Sequence, residues 1–355
     1  MTCKPSICTM SLGRAFAGHS LEYKLDMAQK YGFRGIELFY EDLEYMAKSL
    51  PGQDATANLL AGASQVRRWC DSRGLEIICL QPFMHFGGLL DRDKQKKDLA
   101  TITLWTALAH RLGTNLILFP SSFLSAPQLT NDRAVLVRDL QDAADVGLRA
   151  TPPVRFAFEA LCWGTQVNAW EDSWSVVSAV ARPNFGLCLD TFNMAGHIFA
   201  EPAAAGGCRA HADADLECSL QRLMARVDVA KVFLVQVADA ERLAAPLDER
   251  HAFYSAEQPS RMSWSRNCRL FYGEEHLGGY LPVKRILQTV LHGLGYRGWV
   301  SFEVFHRRLT ESDGAVPEEF AARASGSWAK LVRDLSLEPR RSRLECGQGK
   351  ERAVL

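Results

Sequence analysis

The last four apolar runs of the chain each end on a polar side chain. Glu159 ends VRFAFE, Asp190 ends FGLCLD, Gln236 ends VFLVQ and Glu303 ends WVSFE. If these runs are neighbouring parallel strands of a barrel, their C-terminal ends share one face, and three carboxylates and one carboxamide converge there. Carboxylates in a small, partly dry space must be protonated or met by a cation, because burial and like charge both oppose ionisation. A divalent metal is the simplest neutraliser. An all-oxygen ligand set suits Mg²⁺ or Mn²⁺ and disfavours a thiolate zinc site. One acid at a strand end is more often a turn residue or a helix N-cap than a ligand. Repetition over consecutive strands turns the balance towards a metal site made by Glu159, Asp190, Gln236 and Glu303.

The elements that must position these residues are legible as eight short apolar runs: Ser6–Leu12, Gly35–Tyr40, Leu75–Leu80, Asn115–Phe119, Val154–Glu159, Phe185–Asp190, Val232–Gln236 and Trp299–Glu303. Most are continuous rather than alternating, as strands buried on both faces should be. Gly35, Gly74 and Gly298 sit at or before run starts, and Pro82 and Pro120 follow run ends. Helical spacing fills most gaps. Ser20–Tyr31 opens on a candidate Ser cap, and Ala61–Arg73, Asp98–Leu112, Asp132–Leu148, Trp170–Val180 and Val283–Leu294 follow. Strands alternating with helices predict an α/β fold with a parallel sheet, and eight units predict an eight-stranded parallel β/α (TIM) barrel. An open doubly wound sheet is the alternative, although no G-x-G-x-x-G follows the first strand.

Two connections stand out. Thr191–His211 is rich in Ala and Gly, and the stretch from Gln236 to Glu303 is longer than one helix needs. Within the second, RMSWSRNCRLFYG interleaves Arg261, Arg266 and Arg269 with Trp264, Phe271 and Tyr272, which predicts an ordered loop over a site. From Glu338 onward periodicity vanishes. The expected organisation is a single barrel domain over residues 1–337 and a disordered tail over 338–355.

The chain has 355 residues, with 41 Lys+Arg against 41 Asp+Glu. That balance argues against a nucleic-acid partner bound through a basic surface. No apolar run is long enough to span a membrane, and the N-terminus lacks the layout of a signal peptide. The 10 cysteines are scattered with no C-x-x-C pair, so neither a disulfide framework nor a cysteine zinc site is expected. These features predict a cytoplasmic protein that acts on a small molecule, with a homo-oligomer allowed.

The segments SICTMSLG, GIELFY, ICLQPF, FEALCWG, LCLDTFN, VQVADAERL, RMSWSRNCRLFYGE, YLPV and SFEVF together resemble the fungal 3-dehydroshikimate dehydratases, within the xylose-isomerase-like barrel superfamily. The resemblance spans roughly residues 5 to 335. It implies a metal-dependent hydro-lyase that takes 3-dehydroshikimate to protocatechuate in quinate and shikimate breakdown. It implies the same four ligands and a divalent cofactor, Mg²⁺, Mn²⁺ or Co²⁺. Gln236 stands where many relatives of the wider superfamily have His. Asn193 and Leu161 also stand where some have His, so no His base transfers from either place.

The implied substrate has a C3 carbonyl, hydroxyls at C4 and C5, and a C1 carboxylate. Its dehydration needs a base, an acid for the departing hydroxyl and a clamp for the carboxylate. His85 in QPFMHF is the leading acid/base candidate, because it follows the third strand on the expected site face and titrates near neutral pH. Glu159 or Glu303 is the alternative base, and His306 is a weaker one. Arg269 and Arg266 are expected to bind the carboxylate, with Ser265 and Gln81 as further substrate-binding residues. Glu37 either faces the barrel mouth or forms a structural ion pair. Trp163, Trp170 and Trp174 either wall a pocket or pack in the core. A sugar isomerase or epimerase, a repair endonuclease and a non-catalytic binding barrel are the competing functions. The endonuclease is disfavoured by the neutral charge and by the lack of a His-rich metal set.

Overall fold

The computed structural model describes residues 3–52 and 54–337. The tail expected at 338–355 lies outside the described residues. The chain runs through β1 (Lys4–Cys8), β2 (Gly35–Phe39), β3 (Glu76–Gln81), β4 (Leu116–Pro120), β5 (Arg155–Glu159), β6 (Phe185–Asp190) and β7 (Val232–Val237). Two short strands, β8 (Asp239–Ala240) and β9 (Arg269–Leu270), then pair antiparallel outside the barrel. The last strand, β10 (Trp299–Phe302), pairs in parallel with both β7 and β1 and closes the sheet into an eight-stranded barrel. The expected barrel is therefore present, and its strand bounds follow the apolar runs closely except at the first. There the run Ser6–Leu12 stops being strand at Cys8, and Thr9–Leu12 forms a buried 3-10 turn. Thr9 Oγ1 accepts the Phe39 N–H at 3.0 Å, which ties this turn to the end of β2.

The helices are α1 (Leu21–Lys30), α2 (Tyr40–Ser49), α3 (Ala55–Ser72), α4 (Arg92–Leu112), α5 (Arg133–Arg149) and α6 (Trp170–Val180). They continue with α7 (Thr191–Ile198), α8 (Ala212–Arg226), α9 (Ser260–Cys268), α10 (Val283–Gln288) and α11 (Val316–Asp334). Side-chain caps set several starts: Ser20 for α1, Asp54 for α3, Asp91 for α4 and Asp132 for α5 each accept backbone N–H groups of the first turn. Gly113 ends α4 in the left-handed conformation, at φ 74°, where a side chain would be strained. Both connections expected as loops contain helix: α7 in the Ala/Gly-rich stretch and α9 in the arginine-rich one.

Strand alternation fixes what reaches the barrel axis. Residues two apart on a strand share a face. Ala157, Cys188, Leu234 and Cys79 belong to a small apolar cluster separate from the main core. Two residues further along the same strands stand Glu159, Asp190, Gln236 and Gln81. The polar residues thus form a layer directly above an apolar one, at the C-terminal mouth of the barrel. Register reinforces this, with Asp190 opposite Gln236 and Gln236 opposite Ser301.

Candidate active site

Glu159, Asp190 and Glu303 are all buried, and each offers a carboxylate oxygen within 4.8 Å of the others'. The expected carboxylate convergence is therefore present. Asp190 carries two roles that looked like alternatives in the sequence. Its Oδ1 caps α7 by accepting the Phe192 N–H at 2.8 Å, while its Oδ2 belongs to the cluster. Gln236 is completely buried on the neighbouring strand. Its Nε2 donates to Glu37 Oε2 at 2.9 Å, and its Oε1 accepts from Cys188 Sγ at 3.3 Å.

Arg269 enters this cluster. Its guanidinium donates to Asp190 Oδ2 at 2.8 Å and Glu303 Oε2 at 3.3 Å, and it lies 4.3 Å from the Phe192 ring centre and 5.0 Å from that of Phe305. Ser265 Oγ, one helical turn earlier, accepts from Arg269 Nε at 3.1 Å and fixes the planar group. The expectation that Arg269 meets a substrate carboxylate across from the acid cluster is modified by this geometry, because its charge already faces the Asp190 and Glu303 carboxylates. Gln81 Nε2 donates to Glu303 Oε1 at 2.7 Å and Glu37 Oε2 at 3.1 Å, so it holds the acids in place while also lining the cavity. Asn193 bridges Glu159 and Asp190 through Nδ2, at 2.7 and 2.8 Å. Sequence reasoning missed that bridge. Its signal was the third position of the helix that Asp190 caps, which turns back towards the cap.

Burial, and then the neighbouring Glu303 and Asp190, hold the Glu159 carboxyl well above the ordinary range. Burial also raises Glu303, against the lowering influence of Arg269. Glu37 is pushed up to about 8 by burial and then by Glu303. It makes no ion pair among the described residues, so the structural ion pair considered for it is absent. Full ionisation of Glu159, Asp190 and Glu303 beside Arg269 leaves a formal charge of −2. A divalent cation would neutralise that charge, and the donors are all hard oxygens. The residues present therefore fit a divalent metal.

Above the cluster opens a cavity of about 690 Å³, which Glu159, Glu303, Gln81, Ser265, Arg269 and Arg266 help to line. Phe39, Tyr40, Phe123, Trp163 and Phe305 give it aromatic walls. Of the three tryptophans considered, Trp163 lines the cavity, Trp170 is buried with its indole N–H on Ser219 Oγ at 2.8 Å, and Trp174 packs against the core. Arg266 is exposed at the rim and donates only to the neutral Gln258, at 2.7 Å, forming no ion pair among the described residues. Arg14, also lining the cavity, is paired with Glu41.

The histidines fall elsewhere. His85 sits on the expected loop after β3, but its Nδ1 is 3.2 Å from Ser122 Oγ, its ring packs edge-on to Phe123, and it is not among the cavity-lining residues. His197 is half-buried on α7 rather than exposed in a loop, and His211 is exposed at the start of α8. His306 caps a 3-10 turn, with Nδ1 accepting the Arg308 N–H at 3.1 Å. Burial, and then Arg307, Arg323 and Arg308, lower it from its ordinary 6.5 to about 3. A depressed group withholds stability as pH falls from the ordinary value towards the folded one. The native state is thus expected to lose stability between pH 6.5 and about 3 as His306 is forced to protonate. Thermal unfolding followed by circular dichroism at pH 7 and pH 5 checks this (roughly neutral and acid sides of a free His). His306→Asn, which keeps a capping acceptor, should show a smaller acid shift than wild type; an equal shift would clear His306.

With this geometry in place, comparison with known proteins gives the class. A profile of the xylose isomerase-like TIM barrel family matches residues 25–331, and the chain belongs to that family. It is 51% identical over 343 residues to the 3-dehydroshikimate dehydratase of Neurospora crassa, covering 95% of this chain and 96% of that protein. It is 32% identical to the 3-dehydroshikimate dehydratase of Pseudomonas aeruginosa, over 85% of this chain but only 38% of that longer protein. Among solved structures, a xylose isomerase-like TIM barrel/4-hydroxyphenylpyruvate dioxygenase fusion protein superposes with a TM-score of 0.71 at 28% identity, covering 95% of this chain and 44% of that one. The resemblance to the fungal dehydratases is thus borne out over nearly the whole chain. No described helix is long and apolar enough to cross a membrane.

Proposed function

We propose that this chain is a 3-dehydroshikimate dehydratase, a hydro-lyase that removes water from 3-dehydroshikimate to give protocatechuate with the help of a divalent metal. The observation that carries the reading is the buried carboxylate cluster, with its single guanidinium, at the floor of an aromatic-walled cavity. The 51% identity to a dehydratase of nearly equal extent supports the choice of substrate.

Glu159, Asp190, Glu303 and the amide of Gln236 would hold the metal. When bound, it supplies positive charge where the C3 oxygen gains negative charge as the C4 proton leaves. The chain's own residues do the rest. Arg266, at the rim and without a carboxylate partner among the described residues, receives the substrate carboxylate, with which a guanidinium can form two parallel hydrogen bonds. The aromatic walls exclude water and face the ring. Arg269, Asn193 and Gln81 hold the carboxylates in register. A base takes the C4 proton and returns it to the C5 hydroxyl, which departs β to the carbonyl as water; loss of a C6 proton and protonation of the C3 oxygen then complete the aromatic ring.

Glu159 and Glu303 line the cavity and His85 does not, so the proton-transfer role is assigned to a glutamate. His85 positions the loop behind Phe123. His85→Asn is therefore expected to change kcat by less than about tenfold; a loss of roughly a hundredfold, with a shifted acidic limb of the pH profile, would return the role to His85. The reading as a whole is tested by incubating purified protein with 3-dehydroshikimate and Mg²⁺. Appearance of the ultraviolet absorbance of an aromatic product supports it, and an unchanged substrate spectrum refutes it.

A further inference from the structure

The opposite, N-terminal mouth of the barrel holds a second cavity, of about 410 Å³, lined by the first residues of β3, β4, β5, β7 and β10. Arg155 reaches into it. On β5 the residues Arg155, Ala157 and Glu159 share one face, so a single strand presents a guanidinium at one mouth and a carboxylate at the other. Arg155 forms no ion pair among the described residues. One terminal nitrogen donates to Asn115 Oδ1 at 3.2 Å, and the group lies 4.8 Å from the Phe233 ring centre. Its Nε is buried without a hydrogen-bond partner. Arg155 is half-buried, so water still reaches part of the group, but its buried Nε donor is unused and an anion in the cavity could take it up. Burial accordingly lowers the pKa of the guanidinium.

The walls say what kind of anion fits. Phe233 and Trp299 both line the cavity, and glycines back their rings. A Cβ at Gly186 would come within 2.8 Å of the Phe233 ring, and one at Gly35 within 3.0 Å of Trp299. Asn115 and the buried Thr114 add polar groups beside Arg155. Lys4 is already engaged, 4.7 Å over the Trp299 ring and 3.9 Å from Glu76, and Glu76 itself faces the cavity. One unshared positive charge next to a carboxylate favours a singly charged ligand over a phosphate dianion, and two rings favour a planar one. We propose that this mouth is a second binding site, for a small planar monocarboxylate.

Benzoate is the probe. It would be titrated calorimetrically into the full-length wild type, Arg155→Met, Arg266→Ala and the double variant. The expected result is saturable binding that persists in Arg266→Ala, where the C-terminal cavity has lost its carboxylate clamp, and that weakens by at least about tenfold when Arg155→Met is added to Arg266→Ala, the usual loss of a charge-assisted contact. A site that survives Arg155→Met but disappears in Arg266→Ala would put benzoate in the C-terminal cavity and overturn the proposal. So would wild type without saturable binding. If Arg155→Met does not fold, Phe233→Leu reads the same site: weaker binding supports the proposal, and unchanged binding overturns it.

Discussion

Glu159→Ala and Asp190→Ala should each lose turnover by about a thousandfold or more, since either removes a ligand from a centre expected to supply several kcal/mol of charge stabilisation. Their stabilities should move in opposite directions. Among the described residues Glu159 is a buried acid with no ion pair, held by the Asn193 amide, so its removal relieves repulsion in metal-free protein. Asp190 caps α7 and is an ion-pair partner of Arg269, so its removal uncaps a helix and leaves a buried guanidinium with less counter-charge. Loss of the cap alone costs about 1 kcal/mol. Calorimetric melting of chelated protein should therefore place Glu159→Ala at or above wild type and Asp190→Ala below it. In wild type, chelation should abolish activity, and Mg²⁺, Mn²⁺ or Co²⁺ should restore it. Full turnover in protein shown by elemental analysis to be metal-free would refute the metal-dependent reading.

Arg269→Met is the second substitution with a large expected effect. Methionine retains much of the apolar packing on Phe192 and Phe305 but removes the one positive charge among three buried acids. Breaking a buried, hydrogen-bonded pair from one side costs about 3–5 kcal/mol. The metal-free protein should melt well below wild type, and kcat/KM should fall roughly a hundredfold or more as Asp190 and Glu303 lose their orientation. Arg269→Lys should rescue little, because an ammonium cannot reproduce a planar group that meets two carboxylates and Ser265 together. Arg266→Ala is the contrast. It should leave melting unchanged and raise KM by about 10- to 150-fold, the range of one charged hydrogen bond. If the two variants behave alike in both melting and kinetics, the division of labour between these arginines is wrong.

How much of this was legible beforehand depends on which physical signal each element carries. The barrel strands were legible because strands buried on both sides must be continuous apolar runs, and the carboxylate cluster because a polar residue ending such a run is conspicuous. The first run misled because Thr9–Leu12 is as buried as the strand before it, and apolarity does not distinguish a tight turn from extended backbone. Helix α7 was hidden by its glycine and by burial of nearly its whole circumference, which erases periodicity. Helix α9 was hidden by serines, arginines and an asparagine, although its Trp264 and Cys268 are wholly buried. The positions of Arg266 and Arg269 followed from that missed helix. Three residues apart, they lie on either side of its C-terminus, one at the rim and one inside. The sequence could offer both arginines for the same task, but only the fold separates them. His85 shows a related limit: spacing located its loop, and only the fold shows its ring packed on Phe123 rather than among the cavity-lining residues.

The placement of Glu303 has a consequence for the order in which the protein comes into being. This acid follows β10, the strand that pairs with both β7 and β1, so it arrives with the element that seals the ring. Emerging from synthesis, the chain can lay down β1 to β7 with Glu159 and Asp190 already at its open end. Arg269 follows next, and the third acid reaches them only as the last gap between strands is zipped shut. Sealing the ring and completing the charge cluster are one event. A chain that ended before Trp299 would lack both the seam and the centre, and a cation gripping all three acids would fasten the seam from above.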